Sequence, residues 1–129
     1  WYRDMKQITE GKGVDVFFDP VASGAYLTSE IRCLAQGGCV WVYGLLGQPD
    51  TVDVTPLIRK QAAIRGWGLT QLVQQGPDVW RPEAEAVLNG FATGQFKQEI
   101  AGTFKLEDVQ NAHREMEKGS HIGKLVLVP

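Results

Sequence analysis

Three short segments rich in glycine and small residues are where this sequence could hold a ligand. They cover residues 19–23, 43–47 and 66–69, and each follows a run of apolar residues typical of a strand. Open parallel sheets bind ligands beyond the carboxyl ends of their strands, where glycine lets a ligand approach the backbone. The alternative is that these glycines only form tight turns. Their recurrence at three successive strand ends favours a ligand-binding edge.

A few side chains could take part in chemistry, although each also has a structural interpretation. Asp15 and Asp19 flank the first strand, and paired carboxylates can act as acid and base. Since no metal or sugar site is indicated nearby, capping or orienting the backbone is favoured for both. His113 lies beside the apolar stripe of a helix, where a packed or surface histidine is favoured over a catalytic one. Trp41 and Trp67 are expected in the core or a pocket wall, with stacking on a ligand as the alternative.

Metal and disulfide chemistry have little support. There are two cysteines, Cys33 and Cys39, and the histidines His113 and His121 lie far from them in sequence. Tetrahedral zinc takes four Cys or His ligands, or three with a water, and a disulfide framework would use more cysteines. We therefore expect reduced thiols, no metal and a cytoplasmic location.

The composition excludes two classes of partner. The net charge is −2, so no basic field is available to hold a nucleic acid. The longest nearly apolar stretch covers residues 39–47, far below the roughly 20 residues that span a bilayer. We expect neither a nucleic-acid nor a membrane partner.

The usual phosphate-binding motifs are missing from the sequence. No G-x-G-x-x-G turn joins a strand to a helix: Gly37 and Gly38 lie at a predicted helix end, and Gly11 and Gly13 precede a strand. A phosphate loop and a nucleophile elbow are missing as well. A complete dinucleotide site is therefore not expected from these residues alone.

Apolar periodicity predicts alternating strands and helices, which is the α/β class. A strand, a helix that begins after Ser23 and a second strand form a right-handed βαβ unit with parallel strands. Gly37 and Gly38 are predicted to end that helix. Strands are predicted over residues 14–19, 39–43, 62–66, 98–103 and 124–128, helices over 55–60 and 106–116, and a loop over 76–82 from which Pro82 opens another helix.

Three segments resemble the medium-chain dehydrogenase/reductase superfamily. GKGVDVFFDPV, residues 11–21, is similar to its fourth Rossmann strand, and LAQGGCVWVYGLLG, residues 34–47, to the next helix end, strand and nicotinamide loop. FKLEDVQNAHREMEKGSHIGKLVLVP, residues 104–129, resembles the C-terminal helix and Gly-Lys strand. The order and spacing hold over nearly the whole chain. The branch resembled is that of the zinc-independent quinone oxidoreductases and related NADPH-dependent enone reductases.

The resemblance implies a fold and a domain organisation. The chain would be the C-terminal part of a Rossmann-type parallel sheet with flanking helices. Residues 1–95 would form the C-terminal half of a dinucleotide-binding domain, and residues 96–129 would return to a catalytic domain outside this sequence. The 129 residues are then expected to be the last part of a longer enzyme.

The resemblance also implies a cofactor site, largely built from backbone groups. Val21 and Ala22 would lie near the nicotinamide ribose, although this chain has Ala22-Ser23 where the family usually has Gly-Gly. Lys124 would lie near the active cleft. The residues expected to line the nicotinamide are Tyr43, Gly44, Leu45, Gly66, Trp67, Gly68 and Leu69.

The implied reaction is hydride transfer to a quinone or an activated alkene. The implied cofactor is NADPH, with NADH as the alternative and no zinc, and the resemblance does not identify catalytic side chains. The strand near Ala62–Gly66 would be an edge that pairs across the twofold axis of a homodimer. Because the pyrophosphate turn is missing and an edge strand is exposed, the second hypothesis is a non-catalytic association module.

Overall fold

A computed structural model describes residues 2–129, with side chains from Arg3 onward, and divides the chain into two compact units between Gly76 and Pro77. The first unit contains a three-stranded parallel sheet and the second a two-stranded parallel sheet. The predicted α/β class with parallel strands is confirmed. The domain boundary predicted near residue 95 stays a prediction.

Helices and strands alternate along both units. The first unit contains α1 (Tyr2–Ile8), β1 (Val14–Asp19), α2 (Gly24–Cys33), β2 (Leu34–Val42), α3 (Thr55–Lys60), β3 (Ala63–Gly66) and α4 (Leu69–Gln74). The second contains α5 (Pro77–Ala92), β4 (Ile100–Lys105), a 3₁₀ turn (Leu106–Asp108), α6 (Val109–Glu117) and β5 (Lys124–Val128). None of these helices is long and apolar enough to cross a membrane.

Strand β2 lies at the centre of the first sheet, between β1 and β3. Asp19 pairs with Val42 and Val42 pairs with Gly66, so the last residues of all three strands lie in one row. Because the strands are parallel, their carboxyl ends lie at the same edge of the sheet. This edge is where the three segments of glycine and small residues begin.

One face of this sheet is packed and the other is open within the first unit. Ile31 of α2 and Val40 of β2 are 0% exposed and form a core with Leu27 and Leu34. Leu27 and Ile31 recur at i and i+4, which brings both to the sheet side of α2. Phe18, whose side chain points to the opposite face, is 72% exposed.

Strand β2 begins earlier than the sequence indicates. The prediction that a helix extends to Gly37 and Gly38 is wrong, because α2 ends at Cys33 and both glycines lie within β2. The pairing with β1 shifts here, and the extra residues of β2 are accommodated as an irregularity. Gly37 has φ +74°, and a Cβ on Gly38 would lie 2.9 Å from the carbonyl oxygen of Val14. The left-handed backbone of Gly37 and the close approach of β1 to Gly38 explain these glycines, and neither marks a helix end.

The region around Pro82 also differs from the prediction. Of the residues expected to form a loop, 77–82 are helical, since α5 begins at Pro77 and contains Pro82. Proline suits the first helical turn, and a second proline removes only one backbone donor from a 16-residue helix. Helix α4 was not predicted, because its six residues are too few for a clear helical period.

The second unit is organised around its two parallel strands. Strand β5 lies where the sequence predicts it, the helix predicted from residue 106 begins as a 3₁₀ turn before α6, and β4 begins two residues later than predicted, at Ile100. Helix α6 contacts both strands and buries Ala112. The N–H of Lys124 donates to the carbonyl oxygen of Glu99 over 2.8 Å, which fixes the start of β5 beside the start of β4.

The core contact predicts a large difference between two isoleucines. We expect Ile31→Ala to lower the free energy of unfolding by about 3 kcal/mol, because it leaves a cavity in a fully buried site. Ile58, which is 82% exposed, is the matched control, and Ile58→Ala should cost less than about 0.5 kcal/mol. Urea denaturation followed by tryptophan fluorescence measures both, and equal losses would contradict this packing.

Candidate functional site

The three segments of glycine and small residues come together in the structure and are called here the carboxyl edge (residues 19–23, 43–47 and 66–69). The N–H of Tyr43 donates to the carbonyl oxygen of Asp19 over 2.9 Å, and the N–H of Trp67 donates to that of Val42 over 2.9 Å. The N–H of Gly47 donates to the carbonyl oxygen of Val21 over 2.7 Å. Backbone hydrogen bonds therefore hold neighbouring segments of the edge together.

Asp19 organises the first of these segments. Its side chain is 0% exposed, and one carboxylate oxygen accepts the N–H of Val21 over 2.7 Å. The N–H of Ala22 lies 3.1 Å from both carboxylate oxygens. Ala22 has φ +53°, a left-handed conformation that costs energy for a residue with a side chain. The expectation that Asp19 orients backbone is confirmed, while Asp15 pairs with Lys12 on the surface.

Three glycines of the carboxyl edge have two kinds of surroundings. A Cβ on Gly44 would lie 2.6 Å from the carbonyl oxygen of Pro20, and one on Gly47 would lie 2.7 Å from that of Val21. These two glycines are explained by the close approach of two loops. A Cβ on Gly66 would meet nothing within 4 Å. Gly66 therefore ends β3 beside open space, which leaves room for a ligand.

Aromatic side chains surround a cavity on the open face of the sheet. It has a volume of about 620 Å³ and is lined by Phe18, Trp41, Tyr43 and Trp67. Phe18 and Trp41 pair in register, and the guanidinium carbon of Arg65 lies 5.4 Å from the Trp41 ring centroid. Trp41 and Trp67 thus line a pocket, which was one of the two interpretations of their sequence positions.

A second cavity adjoins the first through Trp67. Its volume is about 450 Å³, and it is lined by Gly66, Trp67, Gly68, Gln71, Leu72 and Gln75. Helix α4 supplies Gln71 and Leu72, Gln75 follows its last residue, and Gly68 precedes its first turn. The unpredicted helix α4 therefore forms one side of the candidate site.

The predicted site residues lie in different surroundings. Tyr43, Gly66, Trp67 and Gly68 line the two cavities, and Val21 and Ala22 form the turn held by Asp19. Leu45 and Leu69 are exposed, at 84% and 61%. Gly44 is packed against Pro20, and Lys124 is an exposed residue that begins β5 in the second unit.

Glu30 is a buried acidic residue that the sequence reasoning missed. It is 2% exposed on α2, and its Oε2 atom has no hydrogen-bond partner. Burial, followed by the charge of Asp19 and a side-chain hydrogen bond with Asp19, raises the pKa of Glu30 from 4.5 to about 7. A signal was present, because Glu30 lies between Leu27 and Ile31 on the inward stripe of α2.

The described residues do not form a recognisable metal site. Across residues 2–129, no group of three or more His, Cys, Asp or Glu side chains could hold an ion. Cys33 and Cys39 are free thiols, and burial raises the pKa of Cys33. The candidate site is therefore a backbone and aromatic surface.

Comparison with known proteins assigns this arrangement to a family. The profile of the family described as zinc-binding dehydrogenase matches residues 2–127. The chain is 32% identical over 139 aligned positions to the highly reducing polyketide synthase phiA of Fungal sp. strain ATCC 74256, covering 99% of this chain and 5% of that one. It is 27% identical over 125 positions to the quinone oxidoreductase of Lama guanicoe, covering 96% of this chain and 36% of that one.

A solved structure has the same fold. A mycobacterial protein in complex with NADPH superposes with a TM-score of 0.81 at 21% identity, covering 99% of this chain and 40% of that one. The chain thus spans well under half the length of the proteins that it resembles.

The two kinds of glycine predict different responses to one added methyl group. We expect Gly44→Ala to lower the free energy of unfolding by about 2 kcal/mol, because its Cβ would collide with backbone. Gly66→Ala is the matched control and should change that energy by less than about 0.5 kcal/mol. Chemical denaturation of both variants measures the difference, and equal stability would argue against the close approach of the two loops.

Glu30 predicts a pH dependence of stability. Because the pKa of Glu30 is about 7 in the folded protein and about 4.5 when unfolded, the stability from its neutral form is complete below pH 4.5. That contribution, on the order of 2–3 kcal/mol, is lost as the pH rises through 7. The free energy of unfolding is measured for Glu30→Gln and for the unmodified chain at each pH. The difference between the two values isolates the contribution of Glu30. A flat difference would show that Glu30 titrates normally.

Proposed function

The chain belongs to the zinc-binding dehydrogenase family of the medium-chain dehydrogenase/reductase superfamily, and on that premise we propose that it is part of an NAD(P)H-dependent oxidoreductase. The enzyme would transfer hydride from the nicotinamide to a quinone or an activated alkene such as an enone. One observation carries the proposal: Gly66 leaves open space at the carboxyl edge, between cavities lined by aromatic residues and by α4.

The residues of the carboxyl edge fit a nicotinamide in size and chemistry. The cavity beside Tyr43 and Trp67 is apolar, and aromatic side chains can pack against a planar ring. Because Gly66 has no side chain, the ring could approach its backbone closely. The proposed contacts are Val21, Ala22, Tyr43, Gly44, Leu45, Gly66, Trp67, Gly68 and Leu69, with Lys124 near the active cleft.

The chemistry of the reaction would be the cofactor's own, since a bound nicotinamide supplies the hydride. The residues of this chain would bind and orient the ring. The turn at Val21 and Ala22, fixed by Asp19, would hold the adjoining ribose. Tyr43 and Trp67 would limit the access of water to the ring. We assign no proton donor to this chain.

Zinc is not needed by this proposal. Although the family is described as zinc-binding, the described residues offer no set of ligands for a zinc ion, and we derive no step through one. We propose a zinc-independent enzyme on the basis of the resemblance to the quinone oxidoreductase branch. The 27% identity to a quinone oxidoreductase supports the same branch. NADPH is the preferred cofactor, supported by the structural neighbour that binds it.

The proposal includes a homodimer formed through β3. This strand lies at the end of the strand order in the first sheet, and its residues Arg65 and Gly66 are exposed. Edge strands present unpaired backbone groups that a second copy can pair with. The two free thiols support a reducing compartment, and we propose the cytoplasm. The second candidate is an association module in which this edge acts without any cofactor.

The full-length protein tests the proposal by cofactor binding. Calorimetric titration should show binding of NADPH, and the loss of NADPH absorbance should follow the addition of a quinone or an enone. Gly66→Val should weaken NADPH binding by at least about tenfold, because its side chain would occupy the ring position. Ala101→Val, which also adds bulk at an exposed strand position, should change the affinity by less than about twofold.

Two results would decide against the oxidoreductase. Binding of neither NADPH nor NADH by the full-length protein would leave the association module, and sedimentation would then show a dimer. If Gly66→Val and the unmodified protein bind NADPH with equal affinity, the cofactor does not bind at the carboxyl edge.

A further inference from the structure

Two acidic side chains from different elements are buried together in the first unit. Asp19 ends β1 and is 0% exposed, while Glu30 lies on α2 and is 2% exposed. The charge of Asp19 acts on Glu30, and no hydrogen bond reaches the buried Oε2 atom of Glu30. Two carboxylates buried together repel each other, so their surroundings favour a proton on one of them.

Glu30 is the member of the pair that carries the proton. Its surroundings favour the neutral form, whereas the Asp19 carboxylate already accepts backbone N–H groups from Val21 and Ala22. Among the residues that the structure describes, no cation acts on Glu30. Cys33 on α2 interacts with it, and Lys60 of α3 acts on Cys33 and donates to the carbonyl oxygens of Arg32 and Leu34.

The position of Asp19 determines the shape of the turn after β1. Its two oxygens hold the N–H groups of Val21 and Ala22, and Ala22 is kept in a left-handed conformation that the chain would not adopt without such support. The carbonyl oxygen of Val21 in turn accepts the N–H of Gly47. A movement of Asp19 would therefore be transmitted to the turn and to the loop after β2.

We propose that Glu30 is a positioning residue, which in its neutral form donates a hydrogen bond to Asp19 and so holds the Val21–Ala22 turn in the shape that receives the cofactor. When Glu30 loses its proton, two buried negative charges repel each other, and the Asp19 carboxylate moves from the N–H groups. The turn then loosens. The effect on the cofactor rests on the function proposed above, whereas the effect on the turn does not.

Hydrogen exchange tests the turn without any cofactor. In the full-length protein, the protection factors of the Val21 and Ala22 amides, which are corrected for intrinsic exchange, should fall by about tenfold between pH 6 and pH 8.5, centred near pH 7. The amide of Val40, in the core strand, reports opening of the whole unit and should fall less. Glu30→Gln retains a donor but cannot ionise, so its turn should keep constant protection.

Cofactor affinity tests the consequence for binding. The dissociation constants of NADPH and of NADH, which lacks the titrating 2′-phosphate, should both rise by about tenfold over the same pH range. Glu30→Gln should abolish that rise. Glu83→Gln, the same change at an exposed position of α5, should leave the rise as it is in the unmodified protein.

The outcomes separate the two proposals. If amide protection at Val21 and Ala22 depends on pH in the same way in Glu30→Gln and in the unmodified protein, the role of Glu30 is overturned. If Glu30→Gln does not fold, the unmodified protein decides: a fall centred near pH 7 supports the role, and constant protection overturns it. A pH-dependent turn in a protein that binds neither dinucleotide overturns the oxidoreductase but supports the positioning of the turn.

Discussion

The buried carboxylate of Asp19 holds the carboxyl edge together. The backbone carbonyl oxygen of Asp19 accepts the N–H of Tyr43, and its carboxylate accepts the N–H groups of Val21 and Ala22. Burying a carboxylate is costly unless its oxygens accept hydrogen bonds, and here the backbone N–H groups of Val21 and Ala22 provide them. The shape of the turn after β1 and its contact with the loop after β2 both follow from this one side chain.

Because the loops approach so closely, glycine has two separate roles at this edge. Gly44 and Gly47 allow one loop to pack on another, which is the tight-turn explanation. Gly66 has no such neighbour, so its lack of a side chain is explained better by a ligand. The tight-turn explanation therefore holds at Gly44 and Gly47, and the ligand-binding explanation stays a prediction at Gly66.

Local sequence signals predicted those elements whose limits are set by their own residues. Strand β1 is a β-branched and aromatic run between Gly13 and Pro20, and its bounds agree with the prediction. The start of β2 depends on pairing with β1, a long-range contact that no local pattern reveals, so Gly37 and Gly38 were misread as a helix end. In the site, strand ends could be predicted, but the pairing of Glu30 with Asp19 required the position of α2 over the sheet.

The open face of the first sheet determines which residue can test for a ligand. Parallel sheets are normally covered on both faces, so an exposed Phe18 and its aromatic neighbours are expected to be covered by other parts of the full-length protein. Replacing Trp41 or Trp67 would then disturb assembly and ligand binding together. Gly66 ends β3, and a Cβ added there has no protein atom within 4 Å. A loss of affinity in Gly66→Val without a loss of stability or a change in oligomeric state therefore reports on the ligand itself.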